Sequence, residues 1–229
     1  MLKENQLTVS IGIIWLFHIS AMLGIALGEV DWFVEKTQLN LIISLLIFLI
    51  FFPIDTFKKS IAFFIFFTGG IFAEWLGVRY QILFGEYAYG SNFGPKLDGV
   101  PYLIGAYWAI LTFITASVMD YTKWHVAAKI IGAAGLMVIL DFRIEHTAPI
   151  FDYWTFAGGI PTMENYVTWF ALGIAFQVIV KLQGITGNKL LSIHLYLAQF
   201  IFFLFFVHLL FALFVHFVSF SFLLFLFSL

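Results

Sequence analysis

The chain has 229 residues, of which 62% are hydrophobic and only 10% charged, with a net charge of −2; a typical soluble domain has roughly 25% charged residues. So little polar surface excludes a water-dispersed globule of this size, and without a basic stripe nothing is available to neutralise nucleic-acid phosphates. The chain contains no cysteine, which removes disulfides, thiolate metal sites and cysteine nucleophiles.

The excess apolar surface has to face lipid. A bilayer core needs roughly 20 mostly apolar residues per helix. The runs that meet or approach this are Thr8–Gly28, Leu39–Pro53, Ser60–Val78, Pro101–Met119, Val126–Phe142, Tyr166–Val180 and Leu190–Phe211. The expected fold is therefore an all-α, polytopic integral membrane helix bundle of about seven transmembrane helices, one domain over residues 1–229. The first run follows Lys3 and Glu4 and is long for the apolar part of a signal peptide, so it reads as a retained span. After Phe211 the chain stays apolar to Leu229 without a turn signal. That tail fits an eighth span, a helix extension or a segment lying in the membrane. The abundant Phe and Trp read mainly as lipid-facing and interhelical packing.

With these spans, Lys3, Lys58, Lys59, Lys123, Lys129, Lys181 and Lys189 fall on the side of the N-terminus, and Lys36, Arg79, Lys96 and Arg143 on the other. The positive-inside bias then puts the N-terminus in the cytoplasm. Two long connections, 79–100 and 143–165, are rich in Gly, Pro, Tyr and Trp. Parity places both at the same end of the bundle, so most of the polar chemistry gathers there.

Ionisable groups within spans are costly, and each is by default a candidate for function. Glu74 lies near the end of the third span. Asp141 ends the fifth, and Glu145 follows at a spacing that puts both carboxyls on one helix face. Asp152 comes next, in Phe151-Asp152-Tyr153-Trp154. Each has a plainer reading, a helix-end group reaching interfacial water or a partner of Arg79 or Arg143. In an apolar, aromatic-lined site a carboxyl is disfavoured as the anion, and an acid that keeps its proton near neutral pH can give it to a substrate without ionisable groups. An isoprenoid double bond is such a substrate. Its tertiary carbocation is stabilised by aromatic faces, and capture by water gives a tertiary alcohol, whereas proton loss gives an isomer or a ring.

Other chemistries find less support. The six histidines, 18, 125, 146, 194, 208 and 216, are scattered, without the close pairing of an oxygenase or metalloprotease. Asp141, Glu145 and His146 form the one sequence-local metal-ligand set, and no metal is expected. Gly69-Gly70 and Gly158-Gly159 form no phosphate-cradling loop, no nucleophile elbow is present, and no Asp-rich diphosphate motif argues for prenyl transfer.

The loops are more specific. Phe84-Gly85-Glu86-Tyr87-Ala88-Tyr89-Gly90 is followed by Phe93-Gly94-Pro95, Gly99-Val100-Pro101 and Ile104-Gly105 with Trp108. Then come Asp141-x-x-x-Glu145, Asp152-Tyr153-Trp154, Ile160-Pro161, Asn165-Tyr166 and Trp169-Phe170. This series, covering Glu74 to Phe170, resembles the carotenoid biosynthesis membrane-protein family, which includes the carotenoid 1′,2′-hydratases and the bisanhydrobacterioruberin hydratases. The chain departs from the family's pattern at His146, where Pro commonly follows the Glu, and at Tyr107, where a small polar residue such as Asn is usual.

The resemblance implies a multi-pass enzyme of a bacterial cytoplasmic membrane that hydrates the ψ-end of an acyclic, lycopene-like carotenoid, without organic cofactor or metal. Its partners would be the carotenoid, water and membrane lipid, with no nucleic acid; contact with neighbouring carotenoid enzymes would suit so insoluble a substrate. Asp141 and Glu145 are then the expected carboxyl pair, with Glu74 and Asp152 as further candidates. Tyr87, Tyr89, Trp108, Tyr153, Trp154 and Asn165 are the expected substrate-binding or cation-stabilising residues, although aromatic side chains at this level also serve as interfacial anchors. Two rivals stay open: an end-group cyclase or isomerase, which excludes water, and a non-enzymatic lipid- or pigment-binding protein.

Overall fold

The computed structural model describes residues 2–52 and 54–227, with side chains for 4–52 and 54–209. Pro53, the expected end of the second span, lies outside the described residues, as does the side chain of His216. The described chain forms α1 (Leu2–Ala26), α2 (Val30–Val34), α3 (Thr37–Phe51), α4 (Phe57–Tyr80), α5 (Tyr102–Met119), α6 (Val126–Glu145), α7 (Met163–Leu182) and α8 (Lys189–Phe227). Among the described residues six runs are long and apolar enough to cross a membrane: α1, α2 with α3, α4, α5, α7, and α8 as far as Leu209. On composition α6 stands apart, because it carries Lys129, Asp141, Arg143 and Glu145; it packs among α5, α7 and α8. The tail beyond Phe211 extends α8 as one 39-residue helix, about 58 Å long at the usual α-helical rise.

Side chains such as Leu16, Leu23, Ile50, Phe64 and Ile131 point outward from the bundle, which suits lipid rather than water. At the centre stands α5, packed against α3, α4, α6, α7 and α8. Its sequence explains that place. It has no charged residue, and Gly105, Ala106, Ala109 and Ala116 let neighbouring helices approach. Thr112 and Thr115 return their hydroxyls to the carbonyls of Trp108 and Leu111, 2.8 Å each. Phe48, Phe52 and Phe66 close around Phe113, with ring centroids 5.3–5.8 Å away.

The two ends of the bundle differ. At one, Asp120 just past α5 bonds Lys129 of α6 at 3.2 Å and Lys181 of α7 at 2.9 Å, and Lys189 donates to its carbonyl. At the other, the two long connections meet. Strand β1 (Tyr87–Tyr89) pairs antiparallel with β4 (Trp154–Phe156), in the register Tyr87↔Phe156, Ala88↔Thr155, Tyr89↔Trp154. Strands β2 (Lys96–Leu97) and β3 (Val100–Pro101) form a hairpin. Its two-residue turn, Asp98-Gly99, has positive φ at both positions, as such turns require. These strands are two or three residues long, too short for hydropathy alternation to reveal. Threonine caps set the entry of α7: Thr162 accepts from the backbone N–H of Asn165 at 3.3 Å, which fixes Asn165 in the first turn.

Candidate active site

The C-terminal halves of α4 and α6 meet the N-terminal halves of α5 and α7 beneath the β1–β4 pair, and three buried carboxyls converge there. Glu74, Asp141 and Glu145 are 3%, 3% and 6% exposed. They line a cavity of about 20 Å³ together with Asn165, Tyr107 and the rings of Phe84, Tyr87, Tyr89, Trp154, Phe156 and Trp169. That volume accommodates a single water, which needs about 10–15 Å³ and several polar partners.

Glu74 is built in from one face of α4. Positions 70, 74 and 77 share that face, and glycine on either side of Glu74 makes room for its partners. A Cβ at Gly70 would lie 2.5–2.7 Å from atoms of Trp108, and one at Gly77 2.8–2.9 Å from Phe84 and Tyr87. Into the space come three donors. The Trp108 indole N–H reaches Glu74 Oε1 at 2.9 Å, and the hydroxyls of Tyr87 and Tyr89 reach Oε2 at 2.5 and 2.8 Å. Burial, and after it Glu74 itself, pushes both tyrosine hydroxyls well above the usual range, so both keep their protons and donate.

Asp141 and Glu145 are joined from α7. The Asn165 amide nitrogen donates to Asp141 Oδ2 at 3.2 Å and to Glu145 Oε1 at 2.5 Å, and the Tyr166 hydroxyl donates to Glu145 Oε2. Both Glu145 oxygens are thus held. Asp141 Oδ1 has no hydrogen-bond partner among the described residues. Neither has the buried Tyr107 hydroxyl.

Of the residues expected from sequence, the structure brings Glu74, Asp141, Glu145, Tyr87, Tyr89, Trp108, Trp154 and Asn165 to this chamber or its wall. It places two elsewhere. Asp152 is exposed and accepts from the Ser91 backbone N–H at 2.8 Å and from the Ser91 hydroxyl; these bonds hold its carboxyl below the usual range and pin the turn after β1. Tyr153 points to the other side of β4 and bonds Thr37 at 2.9 Å; burial pushes it up to about 12, partly offset by that bond. His146 is exposed and bonds its own helix at the Phe142 carbonyl, so it does not complete a ligand set with Asp141 and Glu145. Among the described residues, no three His, Asp or Glu side chains are grouped to hold a metal ion.

Sequence reasoning gave no site role to three residues. Tyr166 was a motif position only, although its place beside Asn165 and one helix away from Glu145 made it a natural donor. Trp169 stacks on Trp108 with centroids 3.8 Å apart and planes at 12°. Tyr107 appeared only as a departure from a pattern.

The profile of one protein family, described as carotenoid biosynthesis protein, matches residues 36–228. The match therefore reaches well past the loops in both directions and includes every residue of the chamber. No curated protein and no solved structure matches the chain. On the extent of the profile match, the chain belongs to the carotenoid biosynthesis protein family.

Proposed function

We propose that the protein is a carotenoid hydratase, a cofactor-independent hydro-lyase that adds water to the terminal C1,2 double bond of an acyclic carotenoid ψ-end. The observation that carries this reading is the pairing of a free acid oxygen with space for one water. Among the described residues Asp141 Oδ1 has no partner, in a chamber of about 20 Å³ walled by aromatic rings. Two carboxyls bridged by one amide share a proton readily; in this reading Asp141, whose second oxygen is free to face substrate, is the donor.

The reaction balances as follows. Asp141 gives its proton to C2 as the C1,2 π bond breaks, leaving a tertiary cation at C1. The faces of Tyr89, Trp154 and Trp169 stabilise that charge through their quadrupoles. The chamber water attacks C1 and forms the C–O bond, and its surplus proton passes to Glu145, held in place by Asn165 and Tyr166. Return of that proton to Asp141 restores the site, so the net change is one water added and a tertiary alcohol formed. Glu74 organises Trp108, Tyr87 and Tyr89 around the reacting end. The setting is a bacterial cytoplasmic membrane, with the carotenoid arriving through the lipid from neighbouring enzymes.

Pigments from lycopene-producing cells, with and without the protein, test this reading by mass spectrometry. The expected product is heavier by one water per modified end and carries label from isotopically labelled water. A product of unchanged mass and altered absorbance would instead identify a cyclase or isomerase.

A further inference from the structure

The carboxyl chamber takes a water, and the polyene behind a reacting end has to lie outside it. A second cavity of about 490 Å³ lies beside it, enclosed by α1, α2, α3, α5, α6 and α8, within the roughly 300–1,000 Å³ of ordinary ligand sites. Phe17, Ile25, Phe33, Ile110, Phe202 and Phe203 give it apolar walls. At its rim Trp32 and Leu39 are 57% and 46% exposed, so it opens on the lipid-facing side of the bundle.

The partition between the cavities is one residue thick. Ile144 lines the large cavity and its neighbour Glu145 the small one; Tyr153 lines the large cavity and Trp154 the small one; Tyr107 lines both. The Tyr107 side chain is buried and its hydroxyl has no partner among the described residues. Buried hydroxyls almost always have a partner, and this one stands where an end group entering from the large cavity would pass.

We propose that the large cavity is the binding site for the polyene chain of an acyclic carotenoid, whose end passes Tyr107 to reach Asp141. The class of ligand rests on the function proposed above; the place rests on the cavity and its shared wall. A saturated acyl chain fits the same walls but offers no double bond to the acid, so the polyene is the occupant.

The chain has no cysteine, so Ala21→Cys and Ser44→Cys each place a unique thiol on the cavity wall, and Ile131→Cys places one on the outer surface of α6. The rate of labelling by a membrane-permeant maleimide is measured on the full chain in phosphatidylcholine vesicles, with and without lycopene. Lycopene should slow labelling at 21 and 44 by about tenfold at a concentration roughly ten times its Kd, leaving 131 unchanged. Unchanged rates at 21 and 44 in protein that still hydrates lycopene would overturn the cavity assignment and leave the function standing. Protection at 21 and 44 with no hydrated product would support the cavity and overturn the hydratase reading. Equal slowing at 131, or equal protection in detergent by added phosphatidylcholine alone, would overturn the choice of occupant.

Discussion

Trp108 lies flat against Trp169, 3.8 Å between ring centroids, and the edge of the same indole donates to Glu74. One residue of α5 thereby ties the α7 wall of the chamber to the carboxyl from α4. Trp108→Phe keeps an aromatic face on Trp169 but removes the N–H. Leaving a buried acceptor short of a donor costs about 1–3 kcal/mol. The expected outcome is a lowered thermal midpoint and a product yield down by about tenfold, if about 1.4 kcal/mol of it falls on the transition state. Trp169→Phe, which leaves the N–H in place, should affect yield less; an equal or larger loss would mean that stacking, not the hydrogen bond, matters.

Asp141 and Glu145 should behave as a unit. Asp141→Asn and Glu145→Gln each remove one partner in proton transfer, an effect of about 10²–10⁴ in rate, while insertion and folding persist. Because both serve one step, the double variant should be scarcely worse than either single one. Time courses of hydrated product give all three values. Full activity in both single variants would remove the pair from the mechanism, and a multiplicative double loss would assign them to separate steps.

Asn165 is a positioning residue, and its replacement separates geometry from charge. Asn165→Asp sets a third acid between two others, and like charges that close disfavour ionisation of all three. Asn165→Ala removes the bridge without adding charge. Both should lower product. The acidic variant should also shift the pH profile of the initial rate relative to the alanine variant, a difference that a purely structural role would not produce.

Much of this site was legible in the sequence because charge in a membrane span is expensive: Glu74, Asp141 and Glu145 stood out against their apolar runs, and the four-residue spacing put the last two on one face. The spans were legible for the same reason. Asn165 was legible as an expected substrate-binding residue but not as the bridge between two carboxyls, since that role depends on where Thr162 starts α7. The large cavity could not be read at all, because it is a space left between six helices. Asp152 lies outside the chamber because a loop carboxyl finds local partners as readily as a pocket. Here Ser91, across the β1–β4 pair, supplies two donors.

Gly70 gives a test of close packing. An alanine Cβ there would meet Trp108 at 2.5 Å, and overpacking of this kind costs about 1–3 kcal/mol. Gly70→Ala should therefore lower the thermal midpoint and, by displacing the indole from Glu74, the yield. Gly135→Ala, where no atom lies within 4 Å of the new Cβ, should be neutral or stabilise α6 by up to about 1 kcal/mol. Adding Trp108→Leu to Gly70→Ala should relieve the clash without restoring full stability or activity, because Glu74 still lacks its indole donor; recovery of both would show that Trp108 serves packing alone.

Asp120 marks the opposite end of the bundle and should respond in the opposite sense, in stability and not in chemistry. Partial burial pushes its carboxyl up, but the bonds and charges of Lys181 and Lys129 outweigh this and hold it below the usual range. A lowered folded value means that the ion pairs contribute fully above the ordinary carboxylate range and lose that contribution as pH falls through the folded value. Asp120→Asn should cost about 1 kcal/mol, seen as a lower thermal midpoint at neutral pH. The gap from the unaltered protein should close as pH falls below the ordinary carboxylate range. The yield of hydrated product per folded molecule should stay unchanged, since the side chains that pair with the Asp120 carboxyl, Lys129 and Lys181, are not among those around the chamber. A yield that fell with pH in step with stability would instead couple the two ends through α5, α6 and α7, the helices that carry residues of both.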